Sequence, residues 1–371
     1  MLTGTRIVPA LVASVLALAG CGDAVPAPAA AEPPLRNEDV SYPGDGVELA
    51  GTLALPASQR PAPAVLLISG SGPQDRDSAL FGHRPFLVMS EALTRAGYAV
   101  LRVDDRGVGG SGGVLDKATY GELVADITAG VEFLRARPEV DPAQVGLLGH
   151  SEGGVLAPLA AGQTGAAFVV SLAGPAVSGE EVLVAQNRTL FTQLGRLADA
   201  EAQVAYVREL TRLLRVGDTD SARVLARREI GRQLELMPPE QRPTPEQIEA
   251  QLPVTPYFRS LVLHDPAPSL RALRVPVLAV YGGKDVQVPA TQSAPAAREL
   301  LAAGPDATVC TFPQLNHLMQ PAVTGAPAEY ASIPTAIDPE VLDLVSGWLA
   351  TRFATDHGLA PPALPAVCTR A

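Results

Sequence analysis

Five stretches of the chain share one form, a short unbroken apolar run that stops at glycine or a polar loop. They are AVLLISG (Ala64–Gly70), YAVLRV (Tyr98–Val103), QVGLLG (Gln144–Gly149), AFVVSLAG (Ala167–Gly174) and PVLAVYG (Pro276–Gly282). ATVCTF (Ala307–Phe312) is a weaker sixth. Such runs are what strands buried on both faces of a parallel sheet look like. VELAGTLALP (Val47–Pro56) instead alternates apolar and polar positions and predicts a strand leading into that sheet. Between the runs the apolar positions take a helical period. Helices are predicted over Phe86–Ala96, Tyr120–Arg137, Val155–Ala161, Thr291–Ala303 and Pro339–Phe353. Strand and helix in alternation predict an α/β fold, an open parallel sheet with helices on both faces. In such sheets ligands bind beyond the carboxyl ends of the strands.

The alternation fails between about 178 and 266. EEVLVAQNRTLFTQLGRLADAEAQVAYVRELTRLLRVG and SARVLARREIGRQLELM are amphipathic and helical, and PPEQRPTPEQIEAQLP breaks at its prolines. The stretch is a helical insertion between two strands. It leaves from the strand ends where ligands bind, so it reads as a cap over the site, with a dimerisation element as the alternative. The sequence thus divides into a core of 37–177 and 267–356, an insertion of 178–266 and a tail of 357–371.

Composition narrows the class. The chain has 371 residues, 47% hydrophobic and 18% charged, which suits a large globular core and argues against disorder. The formal net charge is −11, and Lys117 and Lys284 are the only lysines. No basic run is present, so nucleic acid is not an expected partner.

The N-terminus reads as a targeting segment. Arg6 precedes an apolar stretch, Ile7–Ala19, too short to span a bilayer as a helix. It ends in LAGC, Leu18–Cys21, which resembles a bacterial lipobox. Residues 1–20 are therefore expected to be a signal peptide, with Cys21 the lipidation site. An ordinary secretory signal cut nearby is the alternative. Residues 21–36, rich in Ala and Pro, read as a tether. The expected location is the cell envelope, anchored to the membrane. Cys21→Ser should then move the protein from membrane to soluble fractions; a soluble, lipid-free wild type would contradict this. After export Cys310 and Cys368 remain. An oxidising compartment permits them to pair, and the alternative is two free thiols.

Two glycine-rich stretches match G-x-S-x-G: GHSEGG around Ser151 and GGSGG around Ser111. A nucleophile elbow needs a strand directly before the serine, a helix directly after it and small neighbours at the turn. Ser151 meets this, with Val145–Leu148 ahead, VLAPLAA behind and Gly149, Gly153 and Gly154 around it. Ser111 does not, since DDRGVGG separates it from the nearest strand. A serine needs a base and a group to orient that base. On an elbow-type sheet the acid comes next in the chain and the histidine last. Asp285 follows the run Pro276–Gly282 by three residues, and His317 lies in a loop after Ala307–Phe312. His264 precedes the acid, and His357 lies past the last helix. The catalytic set is therefore Ser151, Asp285 and His317. An oxyanion hole is expected from the backbone N–H of Glu152 and that of Ser71, with Gly72 the alternative to Ser71. The Glu152 side chain is expected to face solvent.

GHSEGG, GGKDVQVP, LNH and SGSGPQDRD together resemble the α/β-hydrolase superfamily. More narrowly they resemble its exported esterases related to dienelactone hydrolases and serine aminopeptidases. The likeness covers about Val40–Phe353. It implies an α/β-hydrolase fold, a mostly parallel eight-stranded sheet with a helical cap, and Ser-His-Asp chemistry through an acyl-enzyme. Many relatives begin the oxyanion loop with His-Gly, where this chain has Ser69-Gly70. The expected function is hydrolysis of a small-molecule ester, without metal or organic cofactor. A peptidase, a thioesterase or an acyltransferase on the same triad is the alternative, with a non-catalytic binding protein behind them.

Other conspicuous residues are expected to be structural. Asp104–Gly107 should form a local ion pair, with Asp75, Arg76 and Asp77 doing the same under the oxyanion loop. Asp126 should be solvated or capping. His83 and His150 should be structural, His150 lining the pocket, and Trp348 should be core.

Overall fold

The computed structural model describes residues 35–193, 195–235, 238, 242–353, 355 and 364–371. The signal segment, Cys21 and most of the tether lie outside them.

The apolar runs are strands. β1 (Arg36–Pro43) and β2 (Glu48–Leu55) form an antiparallel pair, and β2 pairs antiparallel with β4 (Ala99–Val103). From β4 the sheet is parallel through β3 (Ala62–Ile68), β5 (Val140–His150), β6 (Val169–Leu172), β7 (Val277–Gly282) and β8 (Ala307–Phe312). The order is β1-β2-β4-β3-β5-β6-β7-β8-β9. This is an α/β-hydrolase sheet, with one strand more than the eight expected. The extra strand is β9 (Cys368–Arg370), antiparallel to β8. The tail therefore ends in the sheet, held by a disulfide between Cys310 and Cys368. At the other end β1 begins at Arg36, one residue inside the stretch read as tether.

Successive strand residues face opposite layers. On β3, Ala64, Leu66 and Ile68 enter one core and Val65 and Leu67 the other. The first core is closed by α2 (Tyr120–Arg135), α3 (Gly153–Thr164), α9 (Ala267–Ala272) and α10 (Ala290–Leu301). The second is closed by α1 (Pro85–Arg95) and α11 (Pro339–Ala350), with Trp348 fully buried. α2 starts at a reciprocal cap between Thr119 and Glu122, which satisfies backbone N–H groups the helix cannot bond itself. α3 stops at Gly165, whose left-handed conformation favours glycine.

Between β6 and α9 the described residues form five helices: α4 (Gly179–Gln193), α5 (Leu197–Val216), α6 (Thr219–Leu234), α7 (Pro245–Ala250) and α8 (Pro256–Leu263). They have an apolar centre of their own, including Leu210, Leu214, Ala222 and Val262.

The disulfide closes a separation of 58 residues. A cross-link of that kind restricts the unfolded chain. Replacing both cysteines with serine is expected to lower stability by about 2–4 kcal/mol in urea titration, with the fold kept. An unchanged midpoint would show that the tail contributes nothing.

Candidate active site

Ser151 sits where β5 turns into α3, with φ at 53°. A serine rarely adopts that conformation, and the surroundings fix it. Its N–H donates to the Leu172 carbonyl at 2.8 Å. A Cβ on Gly149 would overlap the Gly153 carbonyl, and one on Gly153 would overlap the Ile68 carbonyl. The glycines are therefore what allow the turn to close under the serine.

Asp285 lies in the turn after β7 and is buried. Its Oδ1 accepts from the N–H groups of Gln287 and Val288, both at 2.8 Å. Its Oδ2 is 2.7 Å from Nδ1 of His317. Across the ring, Nε2 of His317 is 3.0 Å from Oγ of Ser151. Ser151, Asp285 and His317 thus stand in one hydrogen-bonded line. With a carboxylate facing Nδ1, that nitrogen carries the proton and Nε2 is free to accept from the serine.

Two residues hold the histidine loop. Asn316 is fully buried, and its Oδ1 accepts from the N–H groups of Leu318 and Gln320 at 2.9 Å each. His150 donates from Nε2 to the His317 carbonyl at 2.8 Å. Burial pushes the His150 pKa down to about 4, so the ring is neutral near pH 7. Asn316 is named only within the LNH motif by the sequence reading. Its role needs the loop geometry.

Ser71, Ser151, Glu152 and His317 line one cavity of about 90 Å³. The insertion supplies Val182, Leu183, Leu261 and His264 to its wall. His264 packs its ring against Tyr120, 5.2 Å between centroids, and is not joined to the triad. Among the described residues, the N–H groups of Ser71 and Glu152 donate to no other group. The N–H of Gly72 is taken, donating to the Tyr257 hydroxyl at 2.9 Å.

Several side chains depart from the sequence reading. Glu152 is buried instead of facing solvent, and its carboxylate accepts from the Tyr257 hydroxyl. Burial pushes its pKa up to about 7. The DDRG residues do not pair with one another. Asp104 takes Arg76, with 2.7 Å between Nη2 and Oδ2. Arg106 takes Asp126, which is buried and neither solvated nor capping. Asp105 accepts from Oγ of Ser69 at 2.6 Å and from the Gln74 N–H at 2.8 Å, and so braces the loop carrying Ser71. Ser111 donates to the Asp104 carbonyl at 2.7 Å and accepts from the Ala50 N–H. It is a loop brace with no histidine beside it. Among the described residues, no cluster of three or more His, Cys, Asp or Glu side chains is placed to hold a metal ion.

Burial also pushes the Asp105 pKa up, to about 7. The folded state then keeps a proton that the unfolded chain, near the usual 3.9, releases. Stability from this group is full below about pH 4 and is lost as pH rises towards 7. Asp105→Asn, with its amide turned to Ser69, is expected to raise the thermal midpoint at pH 8 more than at pH 4.5. An equal change at both pH values would contradict the buried charge.

The family model of X-Pro dipeptidyl-peptidases (S15 family) matches residues 45–308. The chain belongs to that S15 family. The matched span holds Ser151 and Asp285 and ends before His317, so the histidine rests on geometry. The chain is 28% identical over 306 residues to esterase EstD of Thermotoga maritima, covering 81% of this chain and 65% of that protein. Among solved structures it is similar to esterase Pf2001 of Pyrococcus furiosus, with TM-score 0.51, 16% identity and coverage of 85% and 93%. It is also similar to the acylaminoacyl peptidase of Pyrococcus horikoshii, with TM-score 0.51, 17% identity and coverage of 88% and 43%. At these identities the structures speak for the α/β-hydrolase fold of this S15 family member.

Proposed function

We propose that the protein is a serine hydrolase of small carboxylic esters, working through an acyl-enzyme. The observation that carries this is the unbroken line from Asp285 through His317 to Ser151 at 2.7 and 3.0 Å. Ser151 attacks the ester carbonyl while Nε2 of His317 takes its proton. Asp285 holds the imidazolium that forms. The N–H groups of Ser71 and Glu152 receive the oxyanion. His317 then returns the proton to the leaving alcohol. Water repeats the sequence, releasing the acid and restoring the serine.

The cap side of the cavity supports an uncharged acyl group, because Val182, Leu183 and Leu261 face it. The likeness to esterase EstD supports the same substrate class. A peptidase on the same triad is the second reading, and the S15 family match favours it. Assay of p-nitrophenyl acyl esters beside aminoacyl and X-Pro amides separates the two. Faster turnover of the esters by kcat/KM is expected; preference for the X-Pro amides would reverse the order.

Export and lipid anchoring through Cys21 are part of the proposal. The disulfide supports an oxidising compartment.

A further inference from the structure

The two N–H groups proposed to hold the oxyanion come from segments far apart in the chain. Ser71 belongs to the loop after β3, and Glu152 to the turn after β5. Tyr257, on cap helix α8, is 7% exposed and reaches both. Its hydroxyl accepts from the Gly72 N–H at 2.9 Å, next to Ser71, and donates to Oε2 of Glu152. The hydroxyl proton is spent on the carboxylate, so it is not a third donor to the oxyanion.

The base of α8 is itself seated on the core. Thr255 caps the helix by accepting from the Phe258 N–H at 3.1 Å. The Thr255 hydroxyl also lies 3.4 Å from Oδ1 of Asp116, in the short turn before α2. The bridge between the two donor segments therefore hangs on a helix that meets the turn before α2 at its own first residues.

We propose that Tyr257 is a positioning residue through which the cap holds the oxyanion hole in its working geometry. This rests on the hydrolase reading above. A hole is effective because its donors are already aimed when charge develops. Without the Tyr257 oxygen the Gly72 N–H loses its acceptor and Glu152 loses the donor at Oε2, with Tyr120 still beside the carboxylate but tied to no oxyanion-loop N–H. The two donor segments can then drift apart, and small displacements at a reacting centre are costly.

The test is Tyr257→Phe in the full chain, with p-nitrophenyl butyrate as substrate and phenylboronic acid as the tetrahedral probe. The variant is expected to lower kcat about 10- to 100-fold with KM unchanged. Boronate affinity should fall with kcat. Hydrogen exchange at the Gly72 amide should quicken, a readout independent of turnover. Phe258→Leu, a packing change on the same helix, is the control. It should lower the thermal midpoint and leave boronate affinity as it was. Tyr257→Phe with wild-type kcat, boronate affinity and Gly72 exchange would overturn the inference. So would an equal loss of boronate affinity in Phe258→Leu at the same fall in thermal midpoint. If Ser151→Ala hydrolyses the ester as fast as the wild type, the hydrolase reading itself fails, whatever Tyr257→Phe does.

Discussion

Ser151→Ala is expected to lower kcat on p-nitrophenyl esters by about 10⁴- to 10⁶-fold, with the thermal midpoint nearly unchanged. In the proposed mechanism the hydroxyl forms the acyl-enzyme, and among the described residues no other serine hydroxyl is hydrogen-bonded to a histidine ring. The Ser111 hydroxyl already serves the Asp104 carbonyl and the Ala50 N–H. The double variant Ser151→Ala, His317→Ala should be no slower than Ser151→Ala alone, because the base has nothing left to deprotonate. Comparison of the two variants under single-turnover conditions checks this. Additive losses would mean that His317 acts on something besides Ser151.

Asp285→Asn should cost about 10⁴-fold in kcat while the fold stays intact. The reason lies in how Asp285 is held. Its Oδ1 accepts two backbone N–H groups, from Gln287 and Val288, and only an oxygen satisfies them. An asparagine must therefore keep its oxygen there and turn its amide nitrogen towards His317. That nitrogen donates to Nδ1, and the ring's proton moves to Nε2. The nitrogen facing Ser151 then carries a proton and cannot take another. An NMR measurement of the His317 ring protons should show Nδ1–H in the wild type and Nε2–H in the variant. Activity within tenfold of wild type would contradict the account of the base.

Much of the fold was legible because its central strands are buried on both faces. β3, β5, β6 and β7 could only read as continuous apolar runs, and each follows or precedes a helical period. β1 was not legible. Its burial alternates weakly, and RNEDVSYP is largely polar because one side lies at the sheet edge. β9 is three residues long and owes its place to Cys310, so no local pattern marks it.

The hydrogen-bonded line of Asp285, His317 and Ser151 was legible from order along the chain and from the strand ends that carry it. The supporting shell was not. Arg106 meets Asp126 twenty residues on, and Asp104 meets Arg76 twenty-eight residues back, through the packing of separate elements. Glu152 meets Tyr257 across 105 residues, from inside the insertion. A charged residue next to the nucleophile looks solvated in a sequence. Only the packing of the insertion against it shows that it is buried and bonded.

The most direct measurement is labelling of the protein with a fluorophosphonate, followed by peptide mapping of the wild type and His317→Ala. Such a probe phosphonylates a serine that a base has activated. The expected result is a single adduct on Ser151, lost in His317→Ala. An adduct on Ser111, or none on Ser151, would contradict the account.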